Sequence, residues 1–208
     1  MSANNFCPAQ DSCQDKSDEE VVELVKKNKE CYVCLMNRYE AKIKRYIRRI
    51  SGVNEETCED ILQDIFMKVY INLNNFKPEM KFSSWIYRIA HNEVINHWRK
   101  NKRNKPNNVS IDYHDLLKNI IKYEYNTEEG VYQKMINSDL RGALERLDEK
   151  YKSVLVLNYL EGKSYQEIAD ILKKPIGTVG TLISRAKKKV FQELKKEGVI
   201  GGEGALRN

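Results

Sequence analysis

The chain has 208 residues, of which 32% are charged and 41% hydrophobic, and it carries a net charge of +6. This length allows one large or two small domains, and the composition is typical of a soluble protein with modest cores. The mild positive charge permits a polyanionic partner without requiring one. No apolar run approaches a membrane span and no signal peptide is visible, so we expect a cytoplasmic protein with reduced thiols.

The N-terminal part predicts two helices behind a disordered tail. Residues 1–16 show no periodicity and are assigned to the tail, and Ser17 opens a capping-box pattern ahead of a short first helix. A second helix is predicted over residues 30–50 and is stopped by residues 51–54. Its inner side is formed by Leu35, Tyr39, Ile43, Tyr46, Ile47 and Ile50.

A third helix is predicted to start at Thr57, whose hydroxyl is a suitable cap. Its apolar stripe comprises Ile61, Leu62, Ile65, Phe66, Val69, Tyr70 and Leu73. Residues 74–81 contain Pro78 and are predicted to form a loop.

A fourth helix, predicted over residues 82–103, carries the most distinctive surface of the chain. Ser83 or Ser84 is expected to cap it, and its apolar stripe comprises Trp85, Ile86, Ile89, Ala90, Val94 and Trp98. The other faces carry cations and amides against a single acid, Glu93. Cations neutralise phosphates, asparagine reads base edges and aromatic rings stack on unpaired bases. The pattern therefore indicates a nucleic-acid surface, and the alternative is an ordinary solvated basic face.

The C-terminal part predicts a helix-turn-helix after a linker. Residues 102–130 contain a proline and many asparagines and form the linker, with a short helical turn near 116–121. Helices are predicted over 135–147 and over 149–160, the second capped by Asp148. A capping box at Ser164 opens a short helix, a turn follows at 173–177, and a longer helix covers 178–196. Residues 198–208 form a glycine-rich flexible tail. Such a pair of helices lays its second member in the major groove, and the alternative is a plain helical hairpin.

Five cysteines lie at positions 7, 13, 31, 34 and 58. Cys31 and Cys34 have CxxC spacing, which invites a zinc or redox interpretation. Because no second CxxC follows, ordinary half-buried helix cysteines are the favoured interpretation, and no metal or cofactor is predicted. No phosphate-binding glycine loop is present in the sequence, and no nucleophile–base arrangement stands out.

Four motifs together resemble those of extracytoplasmic-function (ECF) bacterial sigma factors. They are residues 59–66 (EDILQDIF), 82–92 (FSSWIYRIAHN), 164–169 (SYQEIA) and 177–186, which contains GTV and SRA. The resemblance implies an all-α chain with two small helical domains, sigma region 2 at 17–101 and sigma region 4 at 131–197, joined by the flexible linker. It implies an alternative sigma factor that binds core RNA polymerase and directs it to specific promoters. It also implies that the chain itself catalyses no reaction and is not an enzyme.

The resemblance also assigns surfaces. Binding to the β′ clamp helices of polymerase falls on Glu59, Asp60, Gln63 and Asp64. Recognition and melting of the −10 element falls on Asn75, Phe76, Lys77, Lys81, Trp85, Arg88, Asn92, Asn96, Arg99, Lys100 and Arg103. Trp85 is interpreted as a core residue or one of mixed use. Recognition of the −35 element falls on Thr178, Thr181, Ser184, Arg185 and Lys188.

The chain departs from the family pattern at Gly180 and Leu182, where many members carry basic or polar residues, so the −35 sequence does not follow from the resemblance. Further partners that it implies are the β flap and an anti-sigma protein, often at the membrane, and no small-molecule substrate is expected. Two other functions remain open. One is a DNA-binding regulator that acts without polymerase, and the other is a thiol- or zinc-based sensor built on Cys31 and Cys34.

Overall fold

The computed structural model describes residues 13–100, 142–144 and 146–196, and the chain divides into two compact units, residues 1–109 and 110–208. Within these described ranges every regular element is helical, which confirms the predicted all-α fold. None of the helices in this part of the chain is both long and apolar enough to cross a membrane. The predicted linker and its helical turn, most of the predicted helix at 135–147 and both chain ends lie outside the described residues, so the domain boundaries stay predictions.

The first helix, α1 (Asp18–Lys27), begins at the predicted capping box. The Ser17 hydroxyl accepts from the Glu20 amide at 3.2 Å, and the Glu20 carboxylate accepts from the Ser17 amide at 2.7 Å. Hydrogen bonding of the Glu20 carboxylate, first to the backbone amide of Ser17 and then to its hydroxyl, lowers the pKa of Glu20. The helix buries Val21, Val22 and Val25 against the rest of unit 1.

Residues 13–16 are not a free tail, which corrects one prediction. Cys13 is buried and forms a disulfide with Cys34, with 6.4 Å between the two Cα atoms. The Arg38 guanidinium donates to the carbonyl oxygens of Cys13 and Lys16 at 2.5 and 2.8 Å. Cys34 and Arg38 lie one helical turn apart and so anchor the same segment. The expectation of reduced thiols is therefore wrong for this pair in the structure.

A 3-10 turn (Lys29–Cys31) leads into α2 (Tyr32–Ser51), whose six predicted inner residues are all buried. Gly52 ends α2 with φ 66, in the left-handed region that favours glycine. The third helix, α3 (Glu55–Asn72), starts earlier than predicted, because the side chain of Asn54, and not Thr57, caps it. Asn54 accepts from the Thr57 amide at 3.0 Å.

The apolar stripe of α3 is buried as predicted except for Tyr70, which is 39% exposed. Its ring instead packs on Tyr32, with 5.0 Å between the ring centroids. The Tyr32 hydroxyl donates to the Phe66 carbonyl at 2.6 Å. Tyr70 therefore covers the side of the helix pair rather than its core.

After a 3-10 turn (Leu73–Asn75), α4 (Phe82–Lys100) begins at Phe82, so Ser83 and Ser84 lie inside its first turn and do not precede it as caps. The Phe82 amide instead donates to the Glu19 carboxylate of α1 at 2.8 Å. The predicted stripe is largely confirmed, since four of its members are buried and two, Ile89 and Trp98, are half-buried.

Unit 2 contains three helices in its described part after the helical residues 142–144. These are α5 (Glu149–Leu155), which continues as a π turn (Val156–Leu160), then α6 (Tyr165–Leu172) and α7 (Ile176–Lys196). Asp148 precedes α5 as predicted, but its side chain makes no capping hydrogen bond. The capping box of Ser164 with Glu167 is present, and Lys173 ends α6 with φ 51. The two helices of the predicted helix-turn-helix are thus confirmed, although α7 begins two residues early.

Candidate nucleic-acid interface

A pocket of about 320 Å³ opens between α3 and α4, next to the turn that joins them. Four asparagine side chains, a tryptophan, an isoleucine and an ion pair surround it. The lining residues are Lys68, Asn72, Asn75, Trp85, Ile89, Asn92, Glu93 and Asn96. An apolar wall beside several amides offers a base both a stacking surface and hydrogen-bonding partners.

The aromatic wall of the pocket is held in place from behind. Trp85 is 9% exposed, and its ring packs against Phe76 and Phe82 with centroid distances of 5.5 and 5.7 Å. Phe76, predicted as a DNA contact, is buried in this cluster and supports Trp85 from the core. The Trp85 ring is thus a core residue that also lines the pocket, and its contact with a base stays a prediction.

The amides reach the pocket from three elements. Asn92 and Asn96 are exposed one turn apart on α4, and Asn75 is exposed on the 3-10 turn. Asn72 lies at the end of α3 and donates to the Lys68 carbonyl at 2.8 Å. Sequence reasoning identified the first three and missed Asn72, whose only signal was an exposed position facing the same loop.

An ion pair between Lys68 of α3 and Glu93 of α4 closes one side of the pocket. The Glu93 side chain is only 15% exposed. From the sequence, Glu93 was the single acid on a basic helix, and its effect on a nearby phosphate would be repulsive. The structure shows that Lys68 compensates this charge, a role that the sequence did not indicate.

Basic residues flank the pocket at both ends of α4. Lys77, Lys81, Arg99 and Lys100 are exposed, and Arg88 is half-buried, with its guanidinium 3.1 Å from the sulfur of Met80. The last predicted residue of this group, Arg103, lies outside the described residues. Cations on both sides of an amide-lined pocket match the charge of a strand that runs across it.

The face of α3 predicted to bind polymerase is mostly exposed. Asp60, Gln63 and Asp64 are exposed, whereas Glu59 is half-buried in an ion pair with Lys44. Lys44 also contacts Glu55 at 2.6 Å. The hydrogen bond to Glu55, followed by the one to Glu59, raises the pKa of Lys44, and the bond from Lys44 lowers the pKa of Glu55. Glu59 therefore has a partner within the fold.

The same face of α3 continues with apolar side chains that the sequence analysis did not single out. Met67 is 59% and Ile71 is 67% exposed, although both are large and hydrophobic. Asp60, Asp64, Met67 and Ile71 recur at steps of three and four, so they form one stripe of the helix. An exposed stripe with an acidic and an apolar half is typical of a protein-binding surface.

In unit 2 the predicted DNA-reading residues share the outer side of α7. Thr178, Thr181, Ser184, Arg185 and Lys188 are all exposed. Val179 and Ile183 are buried on the opposite side, which fixes the rotation of the helix. The Thr181 hydroxyl donates to the Gly177 carbonyl at 2.9 Å.

Gly180 of α7 is one of the two positions at which the sequence departs from the ECF pattern that its motifs resemble. A Cβ atom built there would be 3.7 Å from the ring of Tyr165, an ordinary van der Waals distance. Internal packing therefore does not require glycine at this position.

Comparison with known protein families gives two matches in this order along the chain. The family described as Sigma-70 region 2 matches residues 35–104, and the family described as Sigma-70, region 4 matches residues 138–190. The first match contains α3, the pocket and α4, and the second contains α6 and most of α7. Together they cover more than half of the chain.

Similar curated proteins include the ECF RNA polymerase sigma factor SigW of Bacillus subtilis, 29% identical over 178 residues that cover 84% of this chain and 95% of SigW. The ECF RNA polymerase sigma-E factor of Escherichia coli is 29% identical over 186 residues, covering 86% and 95%. Among solved structures, CnrH in complex with the cytosolic domain of CnrY has a TM-score of 0.63 at 20% identity and covers 88% of this chain and 99% of CnrH.

A second solved structure of similar fold is the sigma factor RpoE in complex with the anti-sigma factor NepR from Bartonella quintana. It has a TM-score of 0.56 at 20% identity and covers 79% of this chain and 96% of that one.

Proposed function

This chain belongs to the ECF sigma factors of RNA polymerase, and from that premise we propose how its surfaces divide the work of transcription initiation. It is an alternative sigma factor that directs RNA polymerase to promoters, and its family is one of non-catalytic initiation factors. The finer assignment concerns three surfaces: the pocket between α3 and α4, the exposed stripe of α3 and the outer side of α7.

The pocket between α3 and α4 is the observation that carries the proposal for promoter opening. We assign it to one base of the −10 element, flipped out of the duplex. Unstacking a base costs a few kcal/mol, and stacking on an aromatic side chain returns about 1–3 kcal/mol per base. The rigid Trp85 ring supplies that surface, and Asn92 and Asn96 supply hydrogen bonds to the base edge. The flanking cations hold the backbone on either side.

An experiment with one matched pair of variants tests this assignment. Asn92→Ala removes a pocket amide, and Asn74→Ala removes an exposed amide nearby that does not line the pocket. Holoenzymes made with each variant are titrated with forked promoter DNA whose −10 strand is already unpaired. We expect affinity to fall about fivefold to tenfold for Asn92→Ala, as expected for one base contact, and to stay unchanged for Asn74→Ala. Equal affinities would refute the assignment.

We assign the exposed stripe of α3 to the polymerase clamp. Asp60 and Asp64 provide charge toward a basic partner helix, and Met67 and Ile71 provide the apolar centre that interfaces need. In this assignment Glu59 holds Lys44 and α2 in place and contributes indirectly.

The clamp assignment is tested by charge reversal. Asp64→Lys is compared with Glu40→Lys, which makes the same change at an exposed position on α2. Binding of full-length chain to core polymerase is measured without DNA at two salt concentrations. Loss of binding with Asp64→Lys alone supports the assignment, and equal loss in both variants would indicate a nonspecific effect of charge.

We assign the outer side of α7 to the −35 element. Arg185→Ala is compared with Lys195→Ala, an exposed cation in the last turn of the same helix. If Arg185 contacts a phosphate, the slope of log K against log salt concentration for a −35 duplex should become shallower by about one in Arg185→Ala. A base contact would instead lower discrimination between sequences by about 1–3 kcal/mol. No change in either quantity would remove Arg185 from the interface.

We further propose that an anti-sigma protein binds and inhibits this chain. When it is not held by that inhibitor, the chain is expected to lie in the cytoplasm. Of the two structures of similar fold, the sigma factor RpoE was solved in complex with the anti-sigma factor NepR, and CnrH was solved in complex with the cytosolic domain of CnrY. Fractionating cells of the source organism checks this proposal. Recovery with membranes that is lost after induction would support a membrane-held inhibitor, whereas constant recovery with polymerase would contradict it.

The decisive experiment for the function as a whole is reconstitution with core polymerase lacking any sigma factor. Transcripts made on genomic DNA of the source organism are sequenced. Discrete start sites that share upstream elements are expected. A DNA-binding regulator that acts without polymerase would give none, and it would also leave the pocket and the α3 stripe without a role.

A further inference from the structure

Residues 13–16, called the strap here, are fastened to α2 in two ways. The disulfide joins Cys13 to Cys34, and the Arg38 guanidinium binds the carbonyl oxygens of Cys13 and Lys16. Arg38 also contacts the carboxylate of Asp18, the first residue of α1, at 2.7 Å. The covalent bond therefore closes a loop that contains the whole of α1.

The helix inside this loop touches the promoter-opening element directly. Glu19 of α1 accepts a hydrogen bond from the amide of Phe82, the first residue of α4. Phe82 in turn packs on Trp85, the wall of the pocket. The strap thus sits at one end of a continuous chain of contacts, and the pocket sits at the other.

The disulfide is unusual for the compartment in which this protein works. A factor that binds RNA polymerase works in the cytoplasm, where thiols are kept reduced and disulfides are usually transient or sense redox state. Two further thiols, Cys31 and Cys58, are buried in the same unit and remain unpaired with each other. Cys31 is three residues from Cys34, yet Cys34 pairs with Cys13 across the strap.

We propose that Cys13 and Cys34 form a reversible oxidation site that controls how firmly α1 caps α4. The oxidant is a low-molecular-weight disulfide, RSSR. One cysteine thiolate attacks it, forms a mixed disulfide and releases RS⁻. The second cysteine thiolate then attacks the protein sulfur of that mixed disulfide and expels a second RS⁻. The two cysteine protons end on the two RS⁻ ions, so two thiols and RSSR give one protein disulfide and two RSH.

Oxidation closes the loop around α1, and this restricts the states in which α1 leaves its place. The oxidised protein therefore keeps Glu19 on the Phe82 amide more of the time than the reduced protein does. The consequence for promoter opening rests on the function proposed above: the oxidised holoenzyme opens promoters more readily. Both sulfurs are buried and Arg38 binds the strap carbonyl oxygens, so thiol–disulfide exchange requires the strap to move away from Arg38.

The first test identifies the bond in the full-length chain. The protein is oxidised with a small disulfide, alkylated and digested, and the linked peptides are identified by mass spectrometry. We expect a Cys13–Cys34 peptide in the unaltered chain and in Cys31→Ser, and none in Cys13→Ser. A Cys31–Cys34 peptide as the main product would overturn the proposal. The melting temperature of the oxidised chain should exceed that of the reduced chain by about 10 °C.

The second test reads the contact between α1 and α4 without polymerase. Hydrogen exchange at the Phe82 amide is compared between oxidised and reduced protein, with Cys31→Ser as the matched control. We expect exchange to be at least about tenfold slower in the oxidised state, and equally so in Cys31→Ser. Cys13→Ser should exchange at the fast rate in both conditions. Equal exchange in the two states of the unaltered chain would overturn the proposal.

A third measurement compares promoter opening by oxidised and reduced holoenzyme, and it distinguishes a failure of this inference from a failure of the proposed function. A redox effect on exchange with no open complex in either state would refute the assigned promoter role and keep the oxidation site. Open complexes that form equally well in both states would refute the control of opening, although the sigma function would stand.

Discussion

Lys68 of α3 and Glu93 of α4 form an ion pair that joins the two helices around the pocket. Because the Glu93 side chain is mostly shielded from water, its charge depends on Lys68 for compensation. We therefore expect Lys68→Met to weaken binding to forked promoter DNA, since the uncompensated carboxylate then faces the strand. A fall of about fivefold corresponds to about 1 kcal/mol, the upper end for a partly exposed pair.

A double-mutant cycle checks this prediction. Adding Glu93→Gln to Lys68→Met should restore most of the lost affinity, because the repulsive charge is gone. Glu93→Gln alone should change affinity little. Additive losses in the double variant would mean that Lys68 contacts DNA by itself.

The cap of α3 offers a second prediction, about stability. Asn54→Ala should lower the free energy of unfolding by about 1 kcal/mol, since it leaves the Thr57 amide without its acceptor. Thr57→Ala is the matched control, and it should be neutral or slightly stabilising because alanine favours helix. Urea denaturation of both variants measures the difference. If Thr57→Ala lowered the free energy of unfolding more than Asn54→Ala does, Thr57 and not Asn54 would be the cap.

Gly180 supports a third prediction. Since a Cβ there meets only ordinary contact with Tyr165, Gly180→Ala should stabilise unit 2 by up to about 1 kcal/mol. Gly177→Ala, at the second residue of α7, should stabilise unit 2 by a smaller amount. Thermal unfolding measures stability, and titration with a −35 duplex measures function. If −35 affinity falls only for Gly180→Ala, the backbone approaches DNA closely there, and that would explain the glycine.

The buried thiol of Cys58 makes stability sensitive to alkaline pH. Burial raises its pKa from 9.0 to about 11. Above about pH 9 the unfolded chain releases this proton while the folded chain retains it, so stability falls with rising pH. We expect the reduced chain to lose on the order of 1 kcal/mol more than Cys58→Ala between about pH 8 and pH 11. The free energy of unfolding is measured by urea titration at each pH. If it fell equally with pH in the unaltered chain and in Cys58→Ala, the raised pKa of Cys58 would be contradicted.

Local patterns explain which parts of the fold were predictable. The capping boxes at Ser17 and Ser164 and the inner side of α2 depend on residues a few positions apart, and all were predicted. The cap of α4 was not, because its acceptor, Glu19, lies 63 positions away in sequence. The Cys13–Cys34 bond was missed for the same reason, since the nearer CxxC spacing suggested another partner for Cys34.

The candidate site shows the same division. Asn92 and Asn96 stood out because they lie on a strongly basic helix, and the pocket does include them. Lys68 and Asn72 were missed because they are ordinary exposed positions on α3 until the two helices pack together. Phe76 was assigned to the −10 surface because the resemblance places its loop there, and the aromatic cluster buries it.

Lys173 ends α6 in the left-handed region, where a side chain costs about 1–2 kcal/mol compared with glycine. In the turn of the helix-turn-helix, the chain thus holds a cation at an unfavourable backbone position. Lys173→Gly would therefore move two properties in opposite directions, raising the melting temperature and removing a positive charge beside the DNA-reading helix. On the function proposed above, we therefore expect thermal stability and promoter affinity to oppose each other at this one residue.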